Sequence, residues 1–322
     1  MQAIRKFMVG AAAATMCAAV WAAQPYPSQP ITLVNPYAAG GPADTLGRAL
    51  ARELEKQLGQ PVVVENKGGG GAAIGTQIVA RARPDGYTLL LGTAAAHIVT
   101  PLMQHTPYDG IKDFRFIGIA GNQPNMLVVH PKLGVKSVQE LIALARKDPG
   151  KLNYGSAGPG SSPHLGAELF RQQAGIELVH IPYKGAAPAI NDLVGGQVDM
   201  AVLNLAASLQ FIKDGRLVPL AYAAKERSPL LPDVPTMAQA GIKDAESASW
   251  YSLAAPAGTP DAIIDRLNKA VNAVNRDAAY RDQMTSQGVE LWSMTPQQAT
   301  DFVRKDQQVL TGLVKGAGLV KQ

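Results

Sequence analysis

Short aliphatic segments that end in glycine, proline or serine, each followed by a helical stripe, constrain this chain more than any other feature. Ile31 to Asn35 reads as a buried strand and runs into the loop Pro36-Tyr-Ala-Ala-Gly-Gly-Pro42. A helix follows, with Leu46, Leu50, Leu54 and Leu58 on one face and Gly59 as its stop. Pro61 to Glu65 is a second strand. Four glycines, Gly68 to Gly71, then lead to a helix near Ile74–Ile78. Tyr87 to Leu91 is a third strand, after the turn Pro84-Asp85-Gly86. The same grammar resumes at Met126–His130. It continues through a helix at Val138–Ala145, a strand at Leu152–Gly155 and a helix at His164–Ala174. A strand at Leu178–Ile181, a helix at Ala187–Val194 and a strand at Val198–Leu203 complete that series. Strand–helix alternation of this kind predicts parallel sheets built from βαβ units.

Two such series in 322 residues exceed what one core usually serves, so two similar lobes are expected. The second series lies in the middle of the chain, and Trp250-Tyr-Ser-Leu-Ala-Ala-Pro256 reads as a return strand to the first lobe. The expected division is 23–125 and 247–322 for one lobe and 126–246 for the other, with two crossovers between them. Ile263, Leu267, Val271 and Val274 make a core-packing stripe in a mostly helical C-terminal part.

Arg5 and Lys6 precede an apolar run from Phe7 to Val20 and the small residues Ala22 and Ala23. This pattern predicts a secretory signal peptide at 1–22, cut after Ala22 or, alternatively, after Ala23. The run is short for a membrane span, and no later stretch is apolar for long enough. Met16 before Cys17 does not suit a lipoprotein signal. Cys17 is the one cysteine in the sequence, so no disulfide framework is possible. Loss of Arg5 and Lys6 with the leader lowers the formal charge from +5 to +3 (5 − 2). Such a diffuse charge gives no footprint for nucleic acid, and a soluble, monomeric, periplasmic protein is expected.

Signatures of catalysis and of cofactors are missing from the sequence. The five histidines (His97, His105, His130, His164 and His180) form no HExxH and no metal-ligand spacing. Ser156, Ser161 and Ser162 lack the flanking glycines of a nucleophile elbow. The glycine run at 68–71 matches neither GxGxxG nor a phosphate loop and reads as a strand-to-helix connection. No cofactor and no metal are expected.

Three loops that follow strands are instead suited to a small anion. In Tyr37-Ala38-Ala39-Gly40-Gly41-Pro42-Ala43-Asp44, small residues expose backbone N–H groups at the positive end of a helix. Asp44 reads as a helix cap or, alternatively, as a partner for a ligand ammonium. In Tyr154-Gly155-Ser156-Ala157-Gly158-Pro159-Gly160-Ser161-Ser162-Pro163-His164, hydroxyls and amides meet another helix start. Ser161 or Ser162 reads equally as a plain N-cap, and His164 as a packed helix residue. The third loop is Pro182-Tyr183-Lys184-Gly185-Ala186-Ala187-Pro188, with Asn204 at the end of a later strand; Lys184 reads best as an exposed lysine. Ligands of open α/β sheets bind at the carboxyl ends of strands, so a cleft between lobes would gather these loops.

The segment Pro30-Ile-Thr-Leu-Val-Asn-Pro-Tyr-Ala-Ala-Gly-Gly-Pro-Ala-Asp44 resembles the opening motif of the Bug family, the extracytoplasmic receptors of tripartite tricarboxylate transporters. Val64-Glu-Asn-Lys67, Arg83-Pro-Asp-Gly-Tyr-Thr-Leu-Leu90, Pro107-Tyr-Asp109 and Lys112-Asp-Phe114 are similar too. So are Tyr154-Gly-Ser156, His164-Leu165, Glu168-Leu-Phe170, Pro182-Tyr-Lys-Gly185, Leu231-Pro-Asp-Val-Pro-Thr236 and Ala255-Pro-Ala-Gly-Thr-Pro260. Arg227-Ser-Pro and Ala187-Pro188 belong to the same set. The resemblance implies an α/β, type II periplasmic-binding-protein-like fold, two Rossmann-like lobes joined by a two-crossover hinge. It implies capture of a small carboxylate-bearing organic acid and delivery to membrane permease subunits. Carried over residue by residue, it implies Tyr37, Ala38, Gly40, Gly41 and Asp44 facing Ser156, Gly158, Ser161, Ser162 and His164, with Thr93 and Asn204 at strand ends. In the family the grip is partly through ordered waters. Tyr37 departs from a usual phenylalanine, Ala39 and Gly68 from proline, and Thr100 from asparagine. The Tyr37 hydroxyl therefore adds a polar group that relatives lack.

Two further readings compete at this level. One is a sensor that presents its ligand state to a kinase. The other is a hydrolase using Ser156 or Ser162 with His164, for which no acid partner is visible.

Overall fold

A computed structural model describes residues 25–320; the expected leader at 1–22, with Cys17, lies outside the described residues. Strand β1 (Ile31–Asn35) is buried on both faces and leads into α1 (Pro42–Leu58). Leu46, Leu50, Leu54 and Leu58 are all buried, and Gly59 ends the helix at a φ of +72°. Next come β2 (Val62–Asn66), α2 (Ala73–Ala80) and β3 (Thr88–Thr93), then a helical turn at Ala95–Val99 that passes into α3 (Thr100–Met103). Strand β4 (Phe114–Val129) is followed by α4 (Val138–Lys147), β5 (Asn153–Ser156), α5 (Ser162–Ala174), β6 (Val179–Pro182) and α6 (Ala186–Val194). Then follow β7 (Met200–Asn204), α7 (Leu205–Lys213), β8 (Val218–Tyr222) and β9 (Ala248–Pro256). Helices α8 (Asp261–Arg276), α9 (Ala278–Thr285) and α10 (Pro296–Gly316) close the chain.

The strands run in the order β2-β1-β3-β9-β4-β7-β5-β6, with β8 also on β4. Pairs β1–β2, β1–β3, β5–β6 and β5–β7 are parallel, as the alternation predicts. The expectation of parallel sheets is corrected at the centre, where β3–β9, β9–β4, β4–β7 and β4–β8 pair antiparallel. The reason lies in β4, a single strand of 16 residues. Its first part, Phe114 to Pro124, pairs with β9, and its last part, Asn125 to Val129, pairs with β7 and β8. A strand that leaves one sheet and enters another has to be matched by one that returns, and the return runs the opposite way.

Each half of the sheet has its own apolar layers. Ile31, Leu33, Leu89 and Leu91 pack under α1 and α8 with Leu267, Val271 and Val274. Leu127, Tyr154, Phe170 and Val202 form a separate core in the other lobe. Helix α2 is where expected but turned: Ile74 and Ile78 are exposed, while Gly75, Thr76 and Val79 face inward. Close approach explains the turn, because a Cβ at Gly75 would lie 2.8 Å from both the Lys67 carbonyl and Pro36. Only a glycine fits there.

The two crossing segments are joined by side-chain amides. Asn204, at the end of β7, donates to the Gln123 carbonyl (3.1 Å), to Asn125 Oδ1 (2.8 Å) and to Ser249 Oγ (3.0 Å). Asn125 Nδ2 reaches Ser247 Oγ (3.0 Å) and Ser162 Oγ (2.9 Å). Tyr251 donates to Gln123 Oε1 at 3.0 Å. Asn204, Asn125 and Gln123 are all buried. Replacing Asn204 with Ala strands the acceptors it serves, so about 1–3 kcal/mol of stability is expected to be lost, measurable by urea unfolding.

Candidate functional site

The Tyr37–Asp44 loop leaves the carboxyl end of β1 and turns into the 17-residue α1. Its tip, Ala38 to Gly40, is exposed, and Gly41 is the N-cap without a side-chain bond, so the positive end of α1 opens on the loop. The left-handed Gly40 (φ +85°) makes the turn. Tyr37 turns its hydroxyl inward to Thr93 Oγ1, 2.8 Å away at the end of β3. Burial pushes that hydroxyl's pKa up, against the lowering effect of the Thr93 bond. Thr93 Oγ1 also accepts from the Ala96 N–H at 3.3 Å.

Asp44 is buried and serves the loop itself. It accepts from the Gly40 N–H (3.0 Å), from Arg48 (3.1 Å) and from Asn66 Nδ2 (2.9 Å). Burial raises its pKa, but the bonds from Arg48, Gly40 and Asn66 outweigh burial and hold the carboxyl below its ordinary value. The ammonium-partner alternative finds this carboxylate already paired with Arg48 at 3.0 Å. As for the helix-cap alternative, Asp44 lies inside the first turn and bonds the amide just ahead of the N-cap.

The glycine run has a specific place that its composition did not reveal. Gly69, Gly70 and Gly71 all have positive φ, and a Cβ at Gly68 would lie 3.0 Å from the Ala38 nitrogen. Thr100 donates to the Gly71 carbonyl (2.6 Å), and Gln104 to that of Gly70 (2.9 Å). The run is thus folded against the first loop and takes part in shaping its mouth.

On the second lobe the Ser156–His164 loop joins β5 to the 13-residue α5. Ser161 is the N-cap, accepting from the His164 N–H (3.3 Å) and donating to the Gly158 carbonyl (2.7 Å). Ser162 is tied to Asn125 of the crossing strand. Ser156 is fully buried and shares a 2.6 Å hydrogen bond with His180, while its oxygen accepts the Gly158 N–H at 3.1 Å. His164 Nδ1 accepts the Gly160 N–H at 2.9 Å. The rings of Tyr154, His180 and His164 stack beneath the loop, with 4.8 and 4.1 Å between successive centroids. Tyr154 donates to Glu168 (2.6 Å), which pairs with Arg171. Burial, and next the neighbouring His180, push the pKa of His164 down to about 4. Burial also lowers that of His180.

Three consequences follow for the expected residues. Tyr37, Ala38, Gly40, Gly41 and Asp44 lie together on one lobe, and Ser156, Gly158, Ser161, Ser162 and His164 together on the other. The lobes touch where Gly160 approaches Val99 and Met103, so closely that a Cβ would sit 2.9 and 2.8 Å from them. Asn204 differs from the rest, because its amide is committed to the crossing strands. Ser156 and Ser162 bond His180 and Asn125 rather than His164, which leaves the hydrolase arrangement unassembled. Lys184 is exposed. Among the described residues no group of His, Cys, Asp and Glu could hold a metal, and no helix is long and apolar enough to cross a membrane.

A groove of about 1290 Å³ lies elsewhere. It follows the crossing segments past Asn122, Ser247 and Trp250, towards α5 and α10. Gly160 and Ser162 reach it, but Tyr37, Gly40, Ser156 and Gly158 do not.

The family model described as tripartite tricarboxylate transporter family receptor matches residues 46–319. Protein BugT of Bordetella pertussis (strain Tohama I) is 38% identical over 303 residues, covering 94% of this chain and 93% of BugT. The R. palustris protein Rpa4515, solved with adipate, superposes with a TM-score of 0.88 at 36% identity, over 92% of this chain and all of that one (100%). MatC (Rpa3494) from Rhodopseudomonas palustris, solved with bound malate, gives 0.83 at 30% identity, over 90% of this chain and 100% of MatC.

The loops generate two expected outcomes. Gly68→Val places carbon against the Ala38 nitrogen, so weaker binding of an anion at the first loop is expected, with little change in far-UV circular dichroism. The second outcome concerns pH. His164 has a folded pKa of about 4, below the 6.5 of the free side chain, so the unfolded chain binds the proton first. Stability from this group is complete above pH 6.5 and is lost progressively as pH falls towards 4, by up to about 3 kcal/mol. His97, buried in the other lobe and also lowered to about 4, contributes in the same window. In His164→Asn the amide oxygen can take the Gly160 N–H, and urea unfolding at pH 7 and pH 5 is expected to show a smaller difference than in the parent.

Proposed function

This chain belongs to the tripartite tricarboxylate transporter family of receptors, and on that premise we propose that it is a periplasmic solute-binding receptor for a small carboxylate-bearing acid. The observation that carries the reading is the pairing of two helix-opening loops, Tyr37–Asp44 and Ser156–His164, on lobes joined by two crossing segments. Amides at the start of α1 are suited to one carboxylate. Hydroxyls and amides at the start of α5 are suited to the other end of the ligand. Arg48 of α1, beside the first loop, is engaged by Asp44. The grip is therefore one of dipoles rather than of a salt bridge. The relatives solved with adipate and with malate support a dicarboxylate as the ligand class.

Residues 23–125 and 247–322 act as one lobe and 126–246 as the other. Ligand contacts to both lobes favour the closed form, since a ligand that binds open and closed forms equally shifts nothing. The closed form then docks on permease subunits and releases its cargo. The protein works as a monomer, has no enzymatic step and is exported by the leader at 1–22.

Thermal unfolding with a panel of mono-, di- and tricarboxylates and amino acids tests this. At a hundredfold excess over Kd a true ligand adds about 2.7 kcal/mol, a rise of several degrees in Tm. A dicarboxylate is expected to give that rise. Absence of a rise with every member of the panel would sink the proposal.

A further inference from the structure

Asn35 is the last residue of β1 and is fully buried, yet neither its Nδ2 nor its Oδ1 has a hydrogen-bond partner in the protein. Among the described residues it is the one buried amide side chain with both ends unsatisfied. Native chains retain few such groups, because an unpaired buried amide is destabilising. Its position indicates what it could serve. Strand alternation puts Asn35 on the face of Ile31 and Leu33, which pack under α1. Its register partner on β2 is Asn66, whose amide reaches Asp44 and the Tyr37 carbonyl of the loop above. On the other side of β1, β3 carries Thr93, bonded to the Tyr37 hydroxyl. Asn35 therefore lies under the first loop, in a row of side chains that all support it and are all otherwise engaged.

We propose that Asn35 is a specificity-determining residue of this site, whose amide recognises a hydroxyl of the bound acid through one water, beneath the loop that takes the carboxylate. The proposal rests on the carboxylate-receptor reading. An amide presents both a donor and an acceptor, which matches a hydroxyl and is wasted on a methylene. A site built to bond a hydroxyl discriminates against the analogue that lacks it, because its own polar groups are then left unpaired. The ligand class is accordingly a hydroxy-dicarboxylate.

Malate and succinate differ by one hydroxyl and are the probes. Calorimetric titration of the parent protein is expected to give malate an advantage of about tenfold or more, the value of one good hydrogen bond. In Asn35→Leu, similar in size and without polar atoms, that ratio is expected to fall to within about twofold while Tm stays equal or rises. Asn35→Asp provides a second variant: a charge beneath the loop weakens both ligands at pH 7, and protonation at lower pH restores the preference for malate. A Leu variant that keeps the parental ratio would overturn the assignment, as would a parent that does not distinguish the two acids. A parent that binds other carboxylates but neither probe overturns it too and leaves the receptor reading standing. Only a parent that binds no carboxylate removes both.

Discussion

The bonds that Asn204 makes to Gln123, Asn125 and Ser249 underlie the rest of the structure. Strand β4 changes partners between Pro124 and Asn125, and a strand that changes sheets exposes backbone and side-chain groups that neither sheet satisfies. Buried amides at the crossing supply the missing partners. They also fix where the two lobes meet, and so which loops can face one another. Ser162 extends this network into the second loop, since its hydroxyl accepts from Asn125. The loop suited to the ligand and the strand that joins the lobes are thus in direct contact.

Around this frame, each lobe presents a helix start and a loop of small residues. Charge is used inside the loops rather than at their surface. Asp44 binds Gly40, Arg48 and Asn66 and thereby shapes the turn. Glu168 and Arg171 stand behind Tyr154, which stacks under His180 and His164. Backbone amides that are already oriented need little reorganisation when an anion arrives. Their binding also varies less with ionic strength than a contact between exposed charges would.

The stacked imidazoles give the second loop a different chemistry from the first. His164 supports Gly160 only through an unprotonated Nδ1, and burial keeps it so down to about pH 4. The first loop has no titrating group of that kind, because its one carboxylate is held ionised by its partners. The two halves of the site therefore differ in their response to acid, although both open on a helix.

The sequence by itself determined the local grammar. The spacing of Leu46, Leu50, Leu54 and Leu58, the stop at Gly59 and the strand at Ile31–Asn35 are all visible because each depends on neighbours within a few residues. The loops at 37–44 and 156–164 were legible for the same reason: small residues before a helix expose amides whatever surrounds them. Less was visible where partners are distant in sequence. The first half of β4 carries no alternation, being buried on both faces. That Asn204 ties the crossing segments together depends on residues some 80 positions away. That Ser156 meets His180, that Gly68 abuts Ala38 and that Asn35 is left unpaired depend likewise on packing between separate elements. Tertiary structure decided these points, because hydrogen-bond partners and close approaches across the fold are set by where whole elements come to rest.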